Sequence, residues 1–276
     1  MRSNSREGSS LGKIAGLAVG PVLISFLASL RLQFRFQISS SMDLQRYRVN
    51  RENLRAQEPQ FRQLCTACLQ PDFSCYCGQI QKFDPKISFV ILIHPIEMRR
   101  RIATGRMSSL SLENSHLIMG QDYSVNPTVN ELINDSEHYS VILYPGPTSQ
   151  NLTPLTKRER KELFPRQKKL RLFVIDGTWA TARKMVSQSE NLRTLPRVCF
   201  SPSTPSNFRV RRQPHPACYS TIEAIHHSIE LIGPSQGFDT SHREHDRLLY
   251  VFDRMVERQL EFIKKSRENR EESRYQ

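Results

Sequence analysis

Four short apolar runs, each closed by a turn signal, restrict what this chain can fold into more than any other feature. They are residues 87–93 (ISFVILI), 116–119 (HLIM), 140–144 (SVILY) and 170–175 (LRLFVI). The first is unbroken, bounded by Pro85 on one side and His94-Pro95 on the other. A strand without polar alternation has both faces covered, as at the centre of a parallel sheet. Helical stretches alternate with the runs. Residues 178–188 (TWATARKMVSQ) follow a strand directly, and residues 219–232 repeat Ile222, Ile225, Ile229 and Ile232 at helical spacing. Residues 243–265 place Leu248, Phe252, Met255, Val256 and Phe262 on one face of a terminal amphipathic helix, followed by a charged, fraying tail. The expected class is α/β, a mainly parallel sheet with flanking helices.

At 276 residues the chain suits one main core with a small appended module. The reading divides it into an extension at 1–41, a lead-in with a cysteine module at 42–83, the main α/β domain at 84–240 and the C-terminal helix and tail at 241–276. Residues 15–30 form an apolar run after Arg2, Arg6 and Lys13, shorter than the roughly 20 residues of a spanning helix. Three readings stay open: a start at Met42 with 1–41 not part of the mature chain, a targeting segment, or a short membrane anchor. Residues 42–62 are polar and read as a lead-in helix or linker. The formal net charge is +13, and residues 1–42, with five Arg/Lys and one Glu, leave +9 on the rest. A basic body favours a polyanionic partner.

Four of the six cysteines fall within thirteen residues, as Cys65-x2-Cys68-x6-Cys75-x-Cys77. Two knuckles at this spacing can bring four thiolates onto one tetrahedral zinc ion, a closed and therefore structural site. Local disulfides or unrelated buried thiols are the alternative. Cys199 and Cys218 stand apart and read as core residues.

Several turns at strand ends carry chemistry-bearing groups. Asp176-Gly177-Thr178-Trp179 joins a strand to a helix at the edge where open α/β sheets collect ligands. The same four residues also make an ordinary capped corner with Thr178 or Asp176 as N-cap and the chain's single Trp as a core anchor. His94 and Glu97 follow the first strand, and Tyr144-Pro145-Gly146 follows another. Ser220-Thr221-x-Glu223 is a capping box whose helix N-terminus can also receive a carboxylate. Neither a glycine-rich dinucleotide fingerprint nor a P-loop is present. Basic residues cluster beside these turns: Arg99 to Arg101 with Arg106, eight between Lys157 and Arg171, and Arg209, Arg211 and Arg212. Three such runs suggest a phosphate-backbone track, with Phe208 or Tyr219 available to stack on a base.

These pieces, in this order, resemble the DTW-domain family of tRNA-uridine aminocarboxypropyltransferases over roughly residues 62–235. The resemblance rests on the cysteine cluster, His94-Pro95-x-Glu97, Thr104-Gly105-Arg106, Tyr144-Pro145-Gly146, Asp176-Gly177-Thr178-Trp179, Arg209-x-x-Arg212 and Ser220-Thr221-x-Glu223-Ala224. Ala103 replaces a typical Asn, and Gln70 a typical Arg. The resemblance implies a SPOUT-like fold with a knotted C-terminal half that binds S-adenosylmethionine, and a tRNA substrate. The implied reaction is attack of uridine N3 on the methionyl Cγ, with methylthioadenosine leaving, in a cytoplasmic enzyme. On that basis Asp176 is the expected general base or orienting group. Tyr144, Pro145, Gly146, Gly177, Thr178 and Trp179 are expected around the donor, with Ser220, Thr221 and Glu223 near its methionine end. His94 and Glu97 line the active-site edge, and Arg106, Arg209 and Arg212 face tRNA. A SPOUT methyltransferase and a non-catalytic zinc-containing RNA-binding module are the competing expectations.

Overall fold

A computed structural model describes residues 40–57, 63–211, 215 and 218–272. The apolar run at 15–30 and Arg212 lie outside the described residues. Among the described residues no helix is long and apolar enough to cross a membrane. The chain divides into two units, 1–61 and 62–276. Of the first, helix α1 (Ser40–Gln57) is described; it exposes Leu44, Tyr47, Val49 and Leu54, consistent with the lack of apolar periodicity there.

The second unit begins with the cysteine segment, which contains two short 3-10 turns. The remaining elements are β1 (Ser88–Ile93), α2 (Pro95–Met98), α3 (Thr104–Ser111), β2 (Ser115–Met119), α4 (Pro127–Asn134), β3 (His138–Leu143), β4 (Gln150–Asn151), α5 (Lys157–Glu162), β5 (Lys169–Asp176), α6 (Trp179–Gln188), α7 (Glu190–Arg193), β6 (Arg197–Cys199), α8 (Thr221–Ile232) and α9 (Asp246–Glu272). Six strands form one sheet in the order β2-β1-β5-β3-β6-β4, every pair parallel. The four apolar runs are β1, β2, β3 and β5. The short strands β6 and β4, which extend the sheet beyond β3, add three and two residues, too few to impose a pattern on the sequence.

Successive side chains of the central strands enter opposite layers. Phe89, Ile91, Val141, Leu172 and Val174 pack with Met107 of α3, Ile222, Ile225, Ile229 and Ile232 of α8, and Leu248, Phe252 and Val256 of α9. Val90, Leu92, Ile142 and Phe173 face Val129 of α4, Met185 and Val186 of α6, and Leu192 of α7. The result is a three-layer α/β unit, and it explains the unbroken apolar runs: both faces of β1 and β5 are covered.

Three expectations shift in the structure. The terminal helix starts at Asp246 and stays helical to Glu272, beyond the predicted end. Phe262 leaves the buried stripe: it is partly exposed and meets Phe73 edge-on, ring centroids 5.5 Å apart. Cys199 and Cys218 are half-buried and not in the core.

Candidate active site

The C-terminal ends of β1, β3 and β5 open on one edge of the sheet, and there the chain builds a cleft of about 360 Å³. Leu143, Tyr144 and Pro145 form one wall after β3. Ile175, Gly177, Thr178, Trp179 and Ala182 form another around the β5–α6 turn. Thr104 at the start of α3, and Phe208, Arg211, Tyr219, Ser220 and Thr221 before and at α8, close the third side. Apolar walls with a few convergent polar groups suit a small organic ligand.

The β5–α6 corner is a capped turn that also lines the cleft. Thr178 is the N-cap of α6, its hydroxyl accepting from the Thr181 N–H. Trp179 is no core anchor: 46% of it is exposed, on the cleft wall.

Asp176, the last residue of β5, is 5% exposed and stands behind that wall. Its Oδ1 accepts from the Thr221 hydroxyl at 2.6 Å and its Oδ2 from the Gly105 N–H at 3.1 Å. Burial pushes the carboxyl up to about 6 against the Thr221 hydrogen bond, with buried Glu97 adding to the rise. Thr221 itself lines the cleft, so its hydroxyl links the open space to a carboxylate poised near neutrality. The need for glycine in Thr104-Gly105-Arg106 follows directly: a Cβ at Gly105 would lie 2.3 Å from Asp176 Oδ2.

Glu97 is 3% exposed and receives both Nη atoms of Arg211, at 2.8 and 3.1 Å. This bidentate pair turns Arg211 into a fixed part of the cleft wall. His94 caps α2, its Nδ1 accepting from the Ile96 N–H at 3.2 Å, and its backbone N–H donates to the Asp176 carbonyl at 2.9 Å. Glu223 completes the capping box by accepting from the Ser220 N–H, and it also accepts from Ser206 Oγ and the Asn207 N–H at 2.7 Å each. Its carboxylate is thereby committed to holding the 206–207 loop, while Ser220 and Thr221 face the cleft. Gly146 sits just outside, beside Arg197 and Ser149.

Several basic and aromatic residues fall in unexpected places. Arg106 is 4% exposed and donates to the carbonyls of Met98 and Arg100, so it ties down a loop instead of facing solvent. Arg171 is buried against Asp135 and the Leu132 carbonyl. Phe208 is buried on Phe252, which removes it as a base-stacking platform; Tyr219 stays on the cleft wall. Arg209 is exposed and shares a groove with Lys264 and Arg267 of α9, floored by Val210, Leu260 and Ile263. Arg211 was hidden in the sequence among neighbouring arginines because its partner Glu97 is 114 positions away.

The four clustered cysteines converge. Cys65 and Cys77 Sγ lie 3.7 Å apart, Cys68 and Cys75 Sγ 3.6 Å apart, and all four sulfurs lie within 4.8 Å of one another. A disulfide needs about 2.05 Å, whereas sulfurs about 2.3 Å from a tetrahedral zinc stand about 3.8 Å apart. The donor set fits zinc. Gln70, in the position typical of Arg, is buried and docks this module by donating to the Arg101 carbonyl at 2.6 Å.

Comparison with known proteins shows which family the sequence resembles. Residues 62–260 match the DTW domain. The tRNA-uridine aminocarboxypropyltransferase 2 of Drosophila melanogaster is 30% identical over 183 residues, covering 64% of this chain and 69% of the fly protein. The mouse protein of the same name is 24% identical over 61% of this chain, which spans only 56% of the mouse protein. The tRNA-uridine aminocarboxypropyltransferase A of Arabidopsis thaliana is 26% identical, covering 74% of this chain and 83% of its own length. No solved structure matches.

Proposed function

The chain belongs to the DTW-domain family, and on that premise we propose that it modifies tRNA by transferring the 3-amino-3-carboxypropyl group of S-adenosylmethionine to N3 of a uridine. The observation that carries this reading is the cleft floor, where Thr221 joins an apolar, aromatic-walled space to buried Asp176. A bond forms between N3 and the donor Cγ while the Cγ–S bond breaks, its electron pair passing to sulfur as methylthioadenosine departs. The sulfonium is a good leaving group, so the protein's task is to align the reactants and take the N3 proton. Alignment alone can contribute about 7–11 kcal/mol.

In this reading the N3 proton passes to Thr221 Oγ1 as the Thr221 proton passes to Asp176 Oδ1. Asp176 thus serves through the Thr221 hydroxyl and not by direct contact. Tyr144, Pro145, Thr178 and Trp179 hold the donor's adenosine side, Ser220 and the α8 N-terminus its carboxylate, and Arg211 the incoming phosphate or base. Arg209, with Lys264 and Arg267, forms the tRNA track outside the cleft; Arg212 belongs with it by sequence position. Zinc at Cys65, Cys68, Cys75 and Cys77 would hold the N-terminal module rigid, with no coordination position left for chemistry. A kinship with SPOUT methyltransferases, including a knotted C-terminal half, completes the reading; its support is the family resemblance and a cleft at the C-terminal strand ends.

The product of the donor tests the reaction class. With tRNA and S-adenosylmethionine, methylthioadenosine should accumulate in step with modified tRNA. Accumulation of S-adenosylhomocysteine would move the chain to methyl transfer, and tRNA binding with no donor consumption would make it a binding module.

A further inference from the structure

On the face of the molecule formed by α8 and the start of α9, four residues gather that play no part in the cleft. His226 and Glu230 stand one turn apart on α8, and His245 and Asp246 lie at the entry to α9. One ligand atom from each lies within 4.8 Å of the other three. His226 Nε2 is 2.8 Å from Asp246 Oδ1, and the two imidazoles stack with centroids 4.7 Å apart. His245 is completely buried. Its Nε2 approaches Glu230 Oε1 to 2.9 Å, yet neither ring nitrogen has a hydrogen-bond partner of acceptable geometry. A buried imidazole aimed at a carboxylate without bonding to it is an exception that needs an explanation.

We propose that His226, Glu230, His245 and Asp246 form a second metal site, separate from the cysteine cluster, that takes a four-coordinate divalent transition-metal ion such as zinc. Two imidazole nitrogens and two carboxylate oxygens are a suitable donor set for that ion. The spacing also suits it: His and Glu at i and i+4 share a helix face, and two adjacent residues of the following element close the site. Arg243 approaches both carboxylates from the solvent side, bonding Glu230 Oε1 and, through Nε and Nη2, Asp246 at 2.9 and 2.7 Å. A carboxylate oxygen has two lone pairs, so the guanidinium and an ion on the imidazole side can share these acceptors, as outer hydrogen bonds do around metal ligands. The ion would clamp α8, whose N-terminus supplies Ser220 and Thr221 to the cleft, against α9.

Metal content of the full chain tests this. After zinc loading and removal of loosely held ion, elemental analysis should give two equivalents per wild-type chain. His245→Gln and Glu230→Gln should each give one, and Cys68→Ser should lose the other. The cobalt-loaded Cys68→Ser protein should keep a weak ligand-field absorption without thiolate charge transfer. Circular dichroism identifies any variant that fails to fold; Glu230→Gln, at a partly exposed position, then stands in for His245→Gln. One equivalent in the wild type, or two retained in both folded variants, overturns the proposal.

Discussion

At the scale of single residues, Asp176 is the buried acid next to the cleft. Its carboxyl titrates near 6 in the folded protein, against 3.8 ordinarily. Between those values the folded state holds a proton that the unfolded chain has released, so stability is full below 3.8 and declines as pH rises to about 6. The difference corresponds to about 3 kcal/mol. Asp176→Asn cannot ionise, and its denaturation midpoint should lack this slope between pH 4 and 6; an unchanged slope would show that another group causes it. Activity should run the opposite way, rising through about pH 6 as Asp176 ionises and becomes able to accept a proton. Asp176→Asn and Thr221→Val should both lower turnover by about 10²-fold or more with donor binding largely kept, the usual size for a lost proton acceptor. Normal turnover in Thr221→Val would remove the hydroxyl from the proton path. Arg211→Ala should instead destabilise the fold, measured by chemical denaturation, by less than the about 3–5 kcal/mol of a fully orphaned buried charge, because Glu97 would keep Arg100 at 3.5 Å.

At the scale of elements, three helix starts near the cleft are capped by different devices. Thr178 caps α6, His94 caps α2, and Ser220 with Glu223 boxes α8. Ala103 heads α3 with no side-chain bond, at the position where the family typically has Asn. Ala103→Asn should raise thermal stability, by about 1 kcal/mol in a chemical melt. The element pattern was legible in the sequence because β1, β3 and β5 are buried on both faces, which leaves unbroken apolar runs. The Ile222 to Ile232 spacing announced α8 for the same reason: one stripe faces the sheet. The short strands β4 and β6 were invisible because two or three paired residues impose no period. The cleft was half legible. Asp176, Thr178, Trp179 and Thr221 sit at turns whose chemistry is local. The Glu97–Arg211 pair, the burial of Arg106 and the commitment of Glu223 to the 206–207 loop depend on contacts between distant segments, which neither spacing nor composition encodes.

At the scale of the whole molecule, residues 62–276 join a cysteine-built module, a three-layer α/β core and a long C-terminal helix, and the cleft opens at the C-terminal strand ends of that core. The +13 charge is partly consumed internally, since Arg106, Arg171 and Arg211 bond to the protein itself. Arg209, Lys264 and Arg267 gather at one groove with a single acid, Glu268, 3.9 Å from Lys264. Arg209→Ala with Lys264→Ala should weaken tRNA binding and reduce the slope of log affinity against log salt by about 1–2, measured by filter binding. An unaltered salt slope would place the tRNA path elsewhere. The central claim, that this chain places an aminocarboxypropyl group on a tRNA uridine, is tested most directly by mass spectrometry of nucleosides after incubating unmodified tRNA with the protein and S-adenosylmethionine. A uridine heavier by one aminocarboxypropyl group, absent with Asp176→Asn, is the predicted result. A methylated nucleoside, or tRNA unchanged beside active donor, would contradict it.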